Sequence, residues 1–460
     1  MRRLKPYLLL AVLVGCGGDD KCDPVGQTGC DSGQVCETVS GGEPACFAPV
    51  AIEGRVFDID SDAAVASARV VAVDINGAAV SNVVTSNTDG SYRLPIPTER
   101  NADGTPVKLE GSVTLRADAK SYESFPGTVR QPLPIDIASA TMVEDRLVVK
   151  STLTDIAMSK LADGGTAGRI EGKVEVPEGA TGIVVVAESG GTGYATVAAR
   201  NGDYAILNVP AASYTVTAYS VDHNYTGGSA DVNNNTVKVD LKLSADAASP
   251  ISGQISIVDG GGASMTSIVL FIESTYDPLT GRGVTVPGLR APRTGAPDIT
   301  GAFTMDGVPA GKYVIVAAFE NDGLVRDPDL CQAGTDDVHI AVEPNMPLMI
   351  PDAFKITGAL AVLDPGATGA QMVSGTPTFS WVDDSSEDQY LVELFDSYGE
   401  RVWMKSMPGV SGGTPSMLYD GPALISGMFY QFRTTSLRSS GSTQCPISRT
   451  EDLKGIFYLP

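Results

Sequence analysis

The chain carries 460 residues, with 55 acidic side chains against 32 basic ones and a formal net charge of −23. That charge repels polyanions, which removes nucleic acid and anionic lipid headgroups from the partners to expect. Hydrophobic residues make up 43% of the chain and charged ones 19%, beside 51 glycines; three or four domains of turn-dense β structure fit that balance better than helices.

At the N-terminus Arg2, Arg3 and Lys5 precede Tyr7 to Val14, an almost wholly apolar run. A basic start, a short apolar core and small residues at the cut describe a secretory signal. The run is far shorter than the roughly 20 residues a membrane-spanning helix needs. Leu13-Val14-Gly15-Cys16 closes it. These residues resemble the lipobox of bacterial lipoproteins. The resemblance implies that residues 1–15 are removed and that Cys16 is acylated and becomes the mature N-terminus. The plainer alternative is an ordinary signal with a cysteine at the cut. Lipid on Cys16 would anchor the protein in the cell envelope, at the bacterial outer membrane, on its periplasmic face or the cell surface. Several acyl chains on one cysteine anchor stably, whereas one binds marginally. Gly17, where aspartate would mark inner-membrane retention in enteric bacteria, agrees by analogy.

Six cysteines remain: Cys22, Cys30, Cys36, Cys46, Cys331 and Cys445. An even set in an oxidising compartment points to disulfides. The first four fall among Gly, Asp and Pro, where no hydrophobic core can form, so a two-disulfide knot is expected over 16–49. Of its three connectivities, Cys22–Cys36 with Cys30–Cys46 is the expected one. Cys331 and Cys445 either bridge two neighbouring domains or stay free.

An internal repeat organises the chain beyond the knot. Ile52-Glu53-Gly54-Arg55-Val56 recurs as Ile170-Glu171-Gly172-Lys173-Val174 and as Ile251-Ser252-Gly253-Gln254-Ile255. Each is an alternating strand with glycine at its centre, where strands bulge or meet another backbone. Asp89-Gly90-Ser91-Tyr92 then matches Asn201-Gly202-Asp203-Tyr204 and Thr300-Gly301-Ala302-Phe303. These read as tight hairpin turns with an aromatic entering the next strand. Val209-Pro210-Ala211-Ala212-Ser213-Tyr214 matches Val308-Pro309-Ala310-Gly311-Lys312-Tyr313, each leading into a strand. The first copy has its counterpart strand at Ser112 to Ala117, after a polar loop. Residues 141–162 read as strand followed by a short helix from Leu153 to Leu161.

This three-part pattern resembles the carboxypeptidase regulatory-like domain, a transthyretin-like β-sandwich of about seven strands. The likeness covers roughly 50–350 in three copies. Copy two has Ala212 at the usual turn glycine, and copy one lacks that turn. The resemblance implies sandwiches over 50–165, 166–247 and 248–355, of the kind that is a noncatalytic appendage in metallocarboxypeptidases.

From about 356 the pattern changes. Phe379-Ser380-Trp381 precedes the strand Tyr390 to Phe395; Tyr398-Gly399-Glu400 turns the chain and Arg401 to Met404 returns it. Tyr430 lies near a strand start, as in a tyrosine corner. Residues 356–460 resemble a fibronectin type III-like sandwich with Trp381 on its inner face.

Chemistry-bearing residues are sparse. His223 and His339 stand alone, without metal-binding spacing, and leave a serine or cysteine nucleophile no evident base. Asp58-Ile59-Asp60-Ser61-Asp62 begins like a calcium loop, but Ala63 and Arg69 stand where the EF-hand pattern needs Gly and Glu; an improvised site including Asp74 is the remaining candidate. Tyr122, Tyr225 and Tyr276 are candidates for stacking on sugars.

The expected architecture is all-β: tandem Ig/transthyretin-like β-sandwiches after a lipoprotein signal and a small disulfide knot. The expected role is noncatalytic, with no cofactor and no catalytic or metal residues. It is a modular stalk that ends farthest out near Tyr458 and offers adhesive surfaces to envelope or surface proteins. Glycan binding is the alternative, and an enzyme or an enzyme's accessory subunit is a third.

Overall fold

The computed structural model describes residues 22–460 except 25–26, 75–77, 106–111, 128–129, 131, 144–145, 163–167, 179, 181, 259–265, 279–280, 294–297, 319–323, 327–336, 352, 385 and 452. The signal, Cys16 and Cys331 therefore lie outside the described residues. Regular structure among the described residues consists of strands and three short 3-10 turns. The strands form paired sheets around four large apolar clusters. The fold is all-β, a series of tandem β-sandwiches.

Each repeat is built on its opening strand. Val50–Asp58 runs antiparallel to Ser91–Ile96 and parallel to Arg146–Val149 and Ile156–Met158. Gly168–Lys173 pairs likewise with Asp203–Val209 and Thr236–Lys238, and Ser249–Val258 with Ala302–Val308 and Phe354–Gly358. The registers put Gly54 opposite Tyr92, Gly172 opposite Tyr204 and Gly253 opposite Phe303. In the first two copies a backbone carbonyl, of Thr154 or Val239, occupies the space a β-carbon would need at the glycine. The opposite tyrosine donates its hydroxyl to that same carbonyl, Tyr92 to Thr154 at 2.5 Å and Tyr204 to Val239 at 2.6 Å. Both tyrosines are buried, so the bond satisfies a hydroxyl that burial would otherwise penalise. The third copy has no hydroxyl to offer. There the Phe303 ring and Ile350 close over Gly253.

The Asp-Gly and Asn-Gly turns are not the expected hairpins. Val84–Thr85 and Ser91–Ile96 flank Gly90 but belong to opposite sheets, and so do Thr192–Val197 and Asp203–Val209 around Gly202. The turns are corners that carry the chain across the sandwich. Gly90 and Gly202 have φ of 79° and 86°, the left-handed region where glycine is unstrained. Their carbonyls accept from Val56 N (2.8 Å) in the first opening strand and from Val174 N (2.9 Å) just past the end of the second. The Pro-x-x-x-Tyr elements form a second recurring lock. Tyr214 and Tyr313 donate back to the carbonyls of Pro210 (2.9 Å) and Pro309 (2.8 Å).

The expected helix from Leu153 to Leu161 is replaced by a 3-10 turn, Thr152–Thr154, and the strand Ile156–Met158. Ser151 caps the turn reciprocally with Thr154, and Ile156, Ala157 and Met158 are fully buried; three consecutive buried residues suit a strand covered on both faces.

In the last sandwich Trp381 is fully buried and meets Tyr390 edge to face at 5.2 Å. Tyr430, the second residue of Phe429–Ser440, accepts from Ile425 N at 2.8 Å. Phe354–Gly358 crosses the junction expected at 355/356 and pairs with Ser249–Val258, so the third sandwich's sheet reaches Gly358.

The cysteine-rich segment closes as Cys22–Cys36 and Cys30–Cys46. It is not a separate tether. Glu37, 1% exposed at its side chain, pairs with Arg100 at 2.5 Å and accepts from Thr98 N. Arg100 also donates to Ala48 O and lies over the Phe47 ring. Burial pushes the Glu37 carboxyl up despite its arginine partner.

The junctions between sandwiches differ in kind. Arg69 and Arg116 donate to Val197 O (2.6 Å) and Ala195 O (2.7 Å) of Thr192–Val197, an outer strand of its sheet. They cover carbonyls that an unpaired edge would leave open. Second and third sandwiches share one apolar cluster, in which Val184, Val186, Tyr219 and Val221 join Ile268, Leu270 and Tyr313. Third and fourth are linked by the short stretch from Gly358 to Leu360, which bridges to Thr450.

The glycine positions generate a graded prediction. Gly172→Ala would force a methyl into Val239 O, a rigid backbone atom, and overpacking of this kind costs about 1–3 kcal/mol or more. Gly253→Ala meets the side chains of Phe303 and Ile350, which yield more readily. Urea unfolding should therefore show the larger loss for Gly172→Ala; equal losses would count against a backbone clash.

Candidate functional site

The residues with distinctive long-range contacts lie where the last sandwich meets the first. Gln389–Asp396 and Arg401–Pro408 form a hairpin whose tip is 397–400. Asp396 shapes it: its carboxylate accepts from Tyr398 N at 2.9 Å and Glu400 N at 3.0 Å, and its carbonyl from Gly399 N at 3.0 Å. Gly399 takes φ of 79°. Burial raises the Asp396 carboxyl, opposed by the two amides.

The tip docks on the first sandwich. Tyr398 meets Phe57 edge to face with centroids 5.4 Å apart, an arrangement worth about 0.5–1.5 kcal/mol beyond area burial. Arg130, 6% exposed at its side chain, pairs with Glu400 at 2.8 Å. Thr152 Oγ1 lies 3.0 Å from Ser397 Oγ and donates to Gly427 O at 3.3 Å. The Tyr458 end is therefore not the far end of a line: the C-terminal sandwich folds back onto the first, and these contacts correct the extended arrangement expected from the serial repeats.

The calcium-like loop is otherwise engaged. Asp58, 1% exposed, accepts from Ser61 N (2.9 Å), Ser61 Oγ (2.7 Å) and Tyr122 OH (3.1 Å), and pairs with Lys160 at 2.8 Å. Asp62 turns to Arg55 at 2.7 Å. Asp74 caps its own turn by accepting from Ala78 N. Lys160 and then Ser61 hold the Asp58 carboxyl far below the usual carboxylate range. Among the described residues, the one gathering of three His, Cys, Asp or Glu ligand atoms is Cys22, Cys30 and Cys46, whose sulfurs are already in disulfides. His223 Nδ1 lies 2.9 Å from Val221 O and His339 Nδ1 2.6 Å from Glu273.

The three loop tyrosines are accounted for by packing. Tyr122 is bound to Asp58, and Tyr225 is a buried strand residue donating to Glu175 O. Tyr276 stacks on Phe271 at 5.7 Å. A groove of about 480 Å³ beside the second opening strand is lined by Lys173, Glu175, Arg200, Asp240 and Lys242 with valines and a leucine. Cys445 is buried and disulfide-bonded; its partner lies outside the described residues. Arg130 and Thr152, which carry the first sandwich's share of the docking face, were not among the candidates from sequence. Nothing in their local pattern marks them.

No protein family matches the chain, and no curated protein sequence does. Among solved structures it is similar to the Bacillus anthracis TIE protein, at 11% identity over 89% of this chain and 73% of that one, TM-score 0.16. A streptococcal ancillary pilin matches at 12% identity over 67% of this chain and 98% of that one, TM-score 0.15. BcpA, the major pilin subunit of Bacillus cereus, matches at 12% over 67% and 99%, TM-score 0.16.

Asp58 gives a pH prediction. Its carboxyl binds a proton less readily folded than unfolded, so it stabilises the fold above the ordinary carboxylate pKa near 4. That stability is lost as pH falls toward the depressed folded value. In urea unfolding followed from pH 5 to pH 2.5, Asp58→Asn should be less stable at pH 5 and show a flatter acid decline than the parent. An unchanged slope would contradict the assignment.

Proposed function

We propose that the chain is a noncatalytic lipoprotein of the bacterial cell envelope, anchored through lipid on Cys16. Its β-sandwiches present interaction or adhesive surfaces to other envelope or surface proteins. The observation that carries this reading is the pair of closed disulfides, Cys22–Cys36 and Cys30–Cys46, directly downstream of Leu13-Val14-Gly15-Cys16. Disulfides persist in oxidising compartments, which agrees with export through the signal.

In this reading the first three sandwiches are carboxypeptidase regulatory-like and the fourth fibronectin type III-like. The repeated glycine–aromatic register supports the first assignment, and the Tyr430 hydroxyl bond with buried Trp381 supports the second. The pairing of Phe354–Gly358 with Ser249–Val258 supports a last junction after Gly358 rather than at 355. Glu37 and Arg100 tie the knot to the first sandwich, so in this reading the anchor at Cys16 lies six residues before the first cysteine of that body.

Cys16→Ser tests the anchor. The variant should lose incorporation of labelled palmitate and move from the membrane fraction to the soluble one. Retention of both label and membrane association would overturn the proposal.

A further inference from the structure

We infer that the 396–400 turn is a releasable latch that holds the fourth sandwich closed on the first. Both halves are shaped independently of their contact. The tip is set by Asp396 and Gly399 from within the hairpin. On the receiving side Arg130 is held by a hydrogen bond to Ala157 O and lies over the Phe125 ring. Phe57 is covered by Arg55, whose guanidinium sits 4.2 Å from the ring centroid, and Thr152 belongs to a turn capped by Ser151. Surfaces preformed on both sides meet and part as rigid bodies, without local refolding.

Among the described residues the latch makes few contacts. It rests on one ring pair, one ion pair whose Glu400 side chain is 45% exposed, and hydroxyl contacts from Thr152. The second and third sandwiches instead share a continuous core, and Arg69 and Arg116 tie the first to the second through backbone carbonyls. A molecule that parts at a lightly held contact parts here, with the fourth sandwich still joined to the third through Gly358 to Leu360. Release uncovers Phe57 and Arg130 as a new face.

The test compares full-length parent, Glu400→Arg, Tyr398→Ser and the charge-swapped Arg130→Glu/Glu400→Arg by small-angle scattering and hydrogen exchange. Each single variant should enlarge the radius of gyration. Because each parting surface keeps its own hydrogen bonds, exchange at 152–157, 396–400 and Val184–Ser189 should match the parent. The charge-swapped pair should return toward the parent. Either of two results overturns the latch: single variants that keep the parent's dimensions, or faster exchange at 152–157, 396–400 or Val184–Ser189, which is unfolding rather than release.

Discussion

A backbone carbonyl sits where a side chain would otherwise begin, over Gly54 in one sandwich and Gly172 in the next. That close approach sets much of the rest. It occurs on opening strands that carry an antiparallel partner on one side and a parallel crossover on the other. It also requires a polar partner for the carbonyl in a dry interior, because an unmet polar group there costs about 1–3 kcal/mol. Tyr92 and Tyr204 supply that partner from directly across the ladder. In the third sandwich side chains take the carbonyl's place as the nearest neighbours of Gly253, Phe303 brings no hydroxyl, and Ile350 fills the space. The carbonyl and the hydroxyl come and go together, as a paired device should.

Above that unit, the sandwiches are joined by three kinds of contact. Guanidinium groups meet exposed carbonyls between the first and second. A shared apolar core fuses the second and third. A docked hairpin tip closes the fourth onto the first. Each kind follows from what the surfaces have to hide: an open strand edge, an apolar face, and a small mixed patch. The molecule is therefore a folded-back array, and the loops it presents outward are those left uncovered by this closure. The Cys-rich segment adds to the same body through the buried Glu37–Arg100 pair, where removing one partner would leave the other charge buried alone.

Much of the local plan is legible in the sequence. The three Gly-centred strands, the aromatic after each turn and the buried Trp381 accord with residue type and spacing, as does a two-disulfide knot, whose pairing is one of three that spacing leaves open. The Asp89-Gly90 and Asn201-Gly202 turns differ from the hairpins expected because a left-handed glycine serves a corner between sheets as well as a hairpin. The helix expected after Leu153 does not form because Ser151 and Thr154 cap each other after a single turn and Ile156 to Met158 pair with the opening strand, a tertiary preference that local pattern does not carry. Asp58 resembles a cation ligand in sequence because its partner, Lys160, lies 102 residues away. Arg130 and Thr152 are invisible for the same reason, and Tyr398-Gly399-Glu400 reads as a turn but not as a docking tip: what makes them a site is the meeting of distant surfaces.

The most direct test of the shared carbonyl is a double-mutant cycle on Gly172 and Tyr204, read by urea unfolding of the full chain. If the Val239 carbonyl is the common partner, Gly172→Ala already displaces it, and adding Tyr204→Phe should cost little more. The two changes would then couple by about 1 kcal/mol. Losses that add to within about 0.5 kcal/mol would mean that glycine and tyrosine act independently, and would contradict the pairing.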